Sequence, residues 1–266
     1  MGCGAPVLFF EGAMVNLAEL VAILDETLNV SGVPDYAGAV NGLQLENGSG
    51  HVVRLVAAVD ASLAVMEAVA AMEGPVLLLV HHGMYWSGMP PLCGGAYRKV
   101  AAAIRADMAV YSAHIPLDVH PELGNNARLA AALGLVETVP FFDWKGIKLG
   151  VAAETAMGRG ELVERLGLAV GGRVHVCPGG PEEVRRVGII TGGAGSEIAA
   201  VAATGVDTFI TGEGPHWSYT AAEELGVNLL YGGHYATETF GVKAVAAWLG
   251  ERAGLPWTFV DHPTGL

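Results

Sequence analysis

The chain predicts an α/β fold with mainly parallel sheets. Short apolar runs alternate with helical patterns along its 266 residues, the order expected of βαβ units. Val76–Val80 is apolar throughout, as suits a strand covered on both faces. Polar residues that carry chemistry follow the ends of such runs, where open α/β sheets place their sites. A 52% hydrophobic content is enough to build one large core or two smaller ones.

The elements follow in order. Residues 1–13 read as an extended start or a disordered tail. Asn16 can cap a helix, with Glu19 three residues on and Leu17, Leu20, Val21, Leu24 and Leu28 on one face. A Gly42 turn leads into an extended Leu43-Gln44-Leu45. Leu55–Val59 reads as a strand, and Asp60 and Ser62 open an Ala-rich helix to Met72. The strand at 76–80 is followed by His81 and His82. Helix 96–106, strand 108–112 and a helix capped by Asn125 or Asn126 come next. Residues 134–147, which contain Gly, Pro and aromatics, interrupt the alternation and mark a boundary. Beyond it, strands are expected at 148–153, 187–190, 207–210, 227–231 and 257–260. The helices between them are expected at 160–166, 197–203, 217–225 and 237–249. The expected division is a first lobe of 14–133 plus 230–266 and a second of 134–229.

Composition excludes several classes. A formal net charge of −13 repels phosphate backbones and argues against nucleic acid. No polybasic patch, signal peptide or membrane-length apolar stretch is present. Cys3, Cys93 and Cys177 are far apart with no CxxC pair, which points to a reducing, cytoplasmic setting and away from a disulfide framework or a thiolate site. A Walker-type phosphate loop and a dinucleotide glycine fingerprint are both missing. Gly192-Gly193-Ala194-Gly195 reads as a turn rather than a phosphate cradle.

Four strand ends stand out. They carry His81 and His82; His114 and Asp118; Glu213; and His234 with Glu238 four residues later. Taken singly, each has a structural reading. Glu238 suits a helix's first turn, Asp118 could cap a turn, and His114 could be a loop histidine. His51, His120, His175 and His262 read as surface or locally bonded residues. Jointly the strand-end groups say more. Burying several imidazoles and carboxylates along one sheet edge costs several kcal/mol unless they are paired. A metal offsets that cost, and three histidines with two carboxylates suit zinc, iron, manganese or nickel better than calcium or magnesium.

With these residues in hand, the chain resembles the NIF-three-like (NGG-one-interacting factor three) family. Its members are also described as GTP cyclohydrolase I type 2 homologues and dinuclear metal centre hexameric proteins. The matching stretches are Asn41-Gly42-Leu43-Gln44, Val80-His81-His82-Gly83 with Trp86, Ala113–Asp118 followed by Gly124-Asn125-Asn126, Thr211-Gly212-Glu213 and Gly233–Glu238. The resemblance implies two intertwined α/β lobes with two divalent ions between them, held by His81, His82, Asp118, His234 and Glu238, with Glu238 bridging. It implies His114 as an acid-base group beside the metals and Glu213 close by. It also implies a hexamer, a trimer of dimers, consistent with a mean hydropathy of +0.43. Some relatives carry an inserted domain mid-chain, and this chain looks like the short form. Two divalent ions outweigh two carboxylates, so the site favours an anionic substrate. The expected activity is metal-dependent hydrolysis of a nucleotide or a phosphorylated small molecule. The alternative is a non-catalytic metal-binding, metal-delivery or regulatory scaffold protein.

Overall fold

The computed structural model describes residues 14–86 and 88–266, so the expectation for residues 1–13 lies outside the described residues. The chain forms two units and passes between them more than once. Unit 1 runs to Pro116 and takes back Val242–His262, while unit 2 holds Leu117–Gly241 and Pro263–Leu266. Residues 134–147, expected to interrupt the alternation, contain strand Thr138–Trp144, which pairs antiparallel with Ile147–Gly158 around a Lys145-Gly146 turn inside unit 2. Asp118, His234 and Glu238 therefore belong to unit 2.

The sheet of unit 1 has the order Trp257–Phe259, Arg54–Asp60, Val76–His82, Met108–Ser112, Gly42–Leu45. The first four strands are parallel and the last is antiparallel. Strand Val76–His82 runs two residues past its expected end and takes in both histidines. Its neighbour in register ends in Asp60, directly opposite His82. Val56, Ala58, Leu78, Val80 and Val110 meet Val65, Met66 and Val69 of helix Leu63–Ala70 in a buried core. Asn16 caps helix Leu17–Thr27 as expected, its side chain accepting from Ala18 and Glu19 N–H.

Unit 2 has a six-stranded sheet of order Thr138–Trp144, Ile147–Gly158, Glu183–Ile189, Thr208–Thr211, Asn228–Tyr231, His175–Pro178. Its three central neighbours Glu183–Ile189, Thr208–Thr211 and Asn228–Tyr231 are parallel, and antiparallel strands flank them. Helix Arg159–Val170 contributes Leu162 and Leu166, and helix Asn125–Ala132 contributes Leu129, to a core with Val187, Ile189, Ile210 and Leu230. Gly124, not an asparagine, occupies the N-cap of that second helix. His175–Pro178 and Thr138–Trp144 are strands that hydrophobic periodicity did not reveal, because both are short or irregular in burial. Among the described residues no helix is long and apolar enough to cross a membrane.

Candidate metal centre

In unit 1 the end of strand Val76–His82 brings three imidazoles together. The ring centroids of His81 and His82 are 4.8 Å apart, those of His81 and His114 4.9 Å, and those of His82 and His114 5.6 Å. One donor nitrogen from each ring lies within 4.8 Å of the other two, so the three could hold a metal ion. Each ring is oriented through Nδ1. His81 Nδ1 is 3.0 Å from the Ala113 carbonyl, His82 Nδ1 is 2.9 Å from Asp60 Oδ1, and His114 Nδ1 is 2.8 Å from Asp35 Oδ1. A carbonyl can only accept, so His81 Nδ1 carries the hydrogen and Nε2 keeps the lone pair. A carboxylate imposes the same tautomer on its partner ring, an arrangement typical of the groups that support metal ligands.

Asp35 does more than hold one ring. Its carboxylate also accepts from Asn41 Nδ2 at 2.8 Å and from Ile115 N–H at 2.9 Å. Burial pushes its pKa up, but the bonds from His114, Asn41 and the Tyr36 N–H outweigh that and leave it below the ordinary carboxylate value. Beside these rings stands Trp86, 41% exposed, with its centroid 4.5 Å from that of His114 and 5.2 Å from that of His82.

Unit 2 gathers its groups at the carboxyl ends of its three parallel strands. Strand Glu183–Ile189 runs out to Thr191-Gly192, Thr208–Thr211 to Gly212-Glu213, and Asn228–Tyr231 to Gly233-His234. Gly212 N–H donates to the Gly192 carbonyl at 2.8 Å, and Gly233 N–H to that of Gly212 at 3.0 Å, which ties the three ends together. Gly233 has φ +92°, a conformation that favours glycine, and aims the chain into the turn His234–Thr237. His234 sits between two acids, with Nδ1 2.8 Å from Glu213 Oε1 and Nε2 3.2 Å from Glu238 Oε1. The i,i+4 spacing therefore works as expected, although His234–Thr237 is a single turn and Glu238 lies just before the long helix Thr239–Ala253. Burial works against a charged His234 ring, but Glu238 and Glu213 outweigh it and hold the pKa up at about 9. Two carboxylates around one imidazole thus call for a positive charge, which a metal or a proton supplies.

Asp118 is buried in the same unit. Its Oδ1 accepts from Asn125 Nδ2 at 2.8 Å and from Thr191 Oγ1 at 3.4 Å. Asn126 donates to the Asp118 and Leu149 carbonyls and accepts from Thr191 N–H. The two asparagines therefore brace Asp118 rather than cap a helix. Gly192, at φ +71°, leaves room beside the acids: a Cβ there would stand 2.2 Å from Glu238 Oε1 and 3.4 Å from His234 Nε2. The glycine turn expected to be only a turn also borders Glu238 and His234.

Sequence spacing gave no warning of Asp35, Asp60 or Thr191. Only the register that pairs Asp60 with His82 was accessible in principle, from aligning the ends of two adjacent parallel strands. His51 and His120 bond locally, to the Ser49 carbonyl and to the Glu122 and Leu123 N–H groups.

An interleaved α/β chain with anchored imidazoles and buried acids at its strand ends has the chemistry of a metal-binding protein. The DUF34/NIF3 (NGG1p interacting factor 3) family model matches residues 15–264, and the chain belongs to that family. It is 44% identical over 250 residues to a Deinococcus radiodurans protein named GTP cyclohydrolase 1 type 2 homolog, covering 93% of this chain and 94% of that one. An Archaeoglobus fulgidus protein of the same name is 38% identical over 254 residues, 95% of this chain and all of its own. Among solved structures, TTHA1606 from Thermus thermophilus matches with a TM-score of 0.87 and 38% identity, over 95% of this chain and 100% of that one. Protein ybgI matches with a TM-score of 0.87 and 35% identity over the same shares.

Proposed function

We propose that the protein binds two divalent transition-metal ions (zinc, iron, manganese or nickel), which His81, His82, Asp118, His234 and Glu238 would hold. We further propose that it hydrolyses a nucleotide or phosphorylated small molecule. The observation that carries the metal reading is the anchoring of His81 and His82 through Nδ1. This leaves Nε2, the nitrogen with the lone pair, as the donor on both rings. The donor set fits: neutral imidazoles and carboxylates suit first-row ions, and Gly192 keeps the space beside Glu238 and His234 clear of side chain. When bound, such ions supply Lewis acidity for hydrolysis.

The residues of the chain divide the remaining work. Asp35 holds His114 Nδ1–H, so Nε2 of His114 is the atom that takes up and returns a proton. Trp86 packs its ring edge against that of His114. Glu213 holds His234 in place from the far side. The names of the 38–44% identical relatives, GTP cyclohydrolase 1 type 2 homolog, support a nucleotide substrate. We also propose assembly into a homo-hexamer. Exposed Met89, Leu92, Tyr97 and Ile104, on and just before helix Gly94–Arg105, are the apolar side chains such contacts would cover.

The test is to load the purified protein with each metal and screen GTP, cyclic nucleotides and phosphoesters beside a His114→Ala variant. Turnover that falls with the substitution while metal content holds supports the hydrolase. Metal retention with only trace turnover, unchanged by His114→Ala, identifies a metal-binding or metal-delivery protein. Elemental analysis of protein purified without added metal identifies the ion, and light scattering that returns a monomer mass rejects the hexamer.

A further inference from the structure

Unit 2 has a cleft of about 600 Å³ that the metal ligands leave unused, lined by His175, Glu213, Pro215, His216, Tyr219 and Tyr231 with two backbone glycines. Its size falls in the range of small-molecule sites. Aromatic faces dominate its walls. Tyr231 and His175 are partners in antiparallel register, and their rings stack 6.1 Å apart at 22°. Tyr219, from helix Trp217–Leu225, brings its ring to 5.8 Å from that of His175. The Tyr231 hydroxyl is engaged by Ser218 Oγ, which fixes that ring. Among the described residues no lysine or arginine lines the cleft, so its walls are not built to hold a phosphate. The single carboxylate among those lining residues is Glu213, and the same group bonds His234 Nδ1. Whatever Glu213 binds in the cleft is one residue away from His234.

We propose that this cleft binds a planar nitrogen heterocycle bearing N–H donors. The ring stacks on Tyr219 and His175, and Glu213 accepts its N–H hydrogens. A carboxylate has lone pairs enough to hold His234 and a ring edge together, and base–aromatic stacking tolerates many ring types. The inference rests on the reading of His234 as a metal ligand and names the substrate class for that centre. It also gives His175 a role that the sequence did not suggest.

The experiment is calorimetry on the full-length protein, with and without metal, using three probes. Guanosine presents adjacent ring and exocyclic N–H donors, purine riboside has a similar ring without either, and ribose 5-phosphate has no ring system. Guanosine is expected to bind the metal-free protein, purine riboside more weakly, and ribose 5-phosphate not at all. Tyr219→Ala should weaken guanosine about tenfold or more, whereas Tyr219→Phe, which keeps the ring, should match the unmodified protein and so report on folding. Equal guanosine affinity in Tyr219→Ala overturns the proposal, as does ribose 5-phosphate binding the metal-free protein as well as guanosine. Elemental analysis of the same samples separates the two readings. Metal retained without guanosine binding overturns the cleft alone, and guanosine binding by samples that were loaded with metal but retain none supports the cleft and overturns the metal centre.

Discussion

The two units hold their imidazoles in opposite ways. In unit 1, His81, His82 and His114 each use Nδ1 on one acceptor, and the rings sit side by side. In unit 2, His234 is held at both nitrogens by acids, Glu213 and Glu238. The first arrangement fixes each ring through Nδ1 and so sets where its Nε2 points. The second stores negative charge, and without a metal it is balanced by a proton on His234, whose pKa is raised to about 9. The lesson is that an imidazole can be held by orientation or by charge, and that pH and substitution should affect the two groups differently.

The sharpest way to break the comparison is to remove one proposed ligand from each unit. His81→Ala and Glu238→Gln should each lower metal affinity by more than the 10–100-fold typical of losing a supporting partner, read by elemental analysis after dialysis. If either variant keeps its full metal content, that unit's assignment fails. Next in size is the support itself. Asp60→Asn should loosen His82 and cost about 10–100-fold in metal affinity, while Asp35→Asn, which acts through His114, should lower turnover with metal content unchanged. Equal effects on metal content would mean that Asp35 and His114 belong among the ligands.

The charge-based half can be sharpened by titration. In metal-free protein, NMR should show His234 still protonated at neutral pH and titrating near about 9. A folded value above the ordinary 6.5 means that the protonated ring stabilises the fold fully below about pH 6.5. That contribution is lost as pH rises through about 9. Glu238→Gln should bring the titration down, and an unchanged midpoint would show that Glu238 is not a cause. A smaller effect is expected for Gly192→Ala. With φ +71° and a Cβ 2.2 Å from Glu238 Oε1, it should destabilise the metal-free protein by about 1–3 kcal/mol and push Glu238 aside. The smallest is Asn16→Ala, which removes a helix cap far along the chain from the ligands. It should cost about 1 kcal/mol in thermal denaturation and leave metal binding untouched.

The sequence by itself determined the α/β class and the order of most elements, and it set His81, His82, His114, Asp118, Glu213, His234 and Glu238 beyond the ends of apolar runs. These are written in local patterns. An apolar run, a capping asparagine or a histidine four residues before a glutamate is settled by neighbours within one or two turns. Only the tertiary structure decided that residues 138–158 form a hairpin in unit 2, that Asn125 and Asn126 brace Asp118, and that His175 faces Tyr231 across two strands. Asp35 meets His114 from 79 positions away, and no spacing rule connects them. The physical reason is that orientation of a side chain depends on hydrogen bonds made after distant segments pack. The residue types able to bind are chosen locally, whereas the tautomer and charge that make them ready are chosen by the fold.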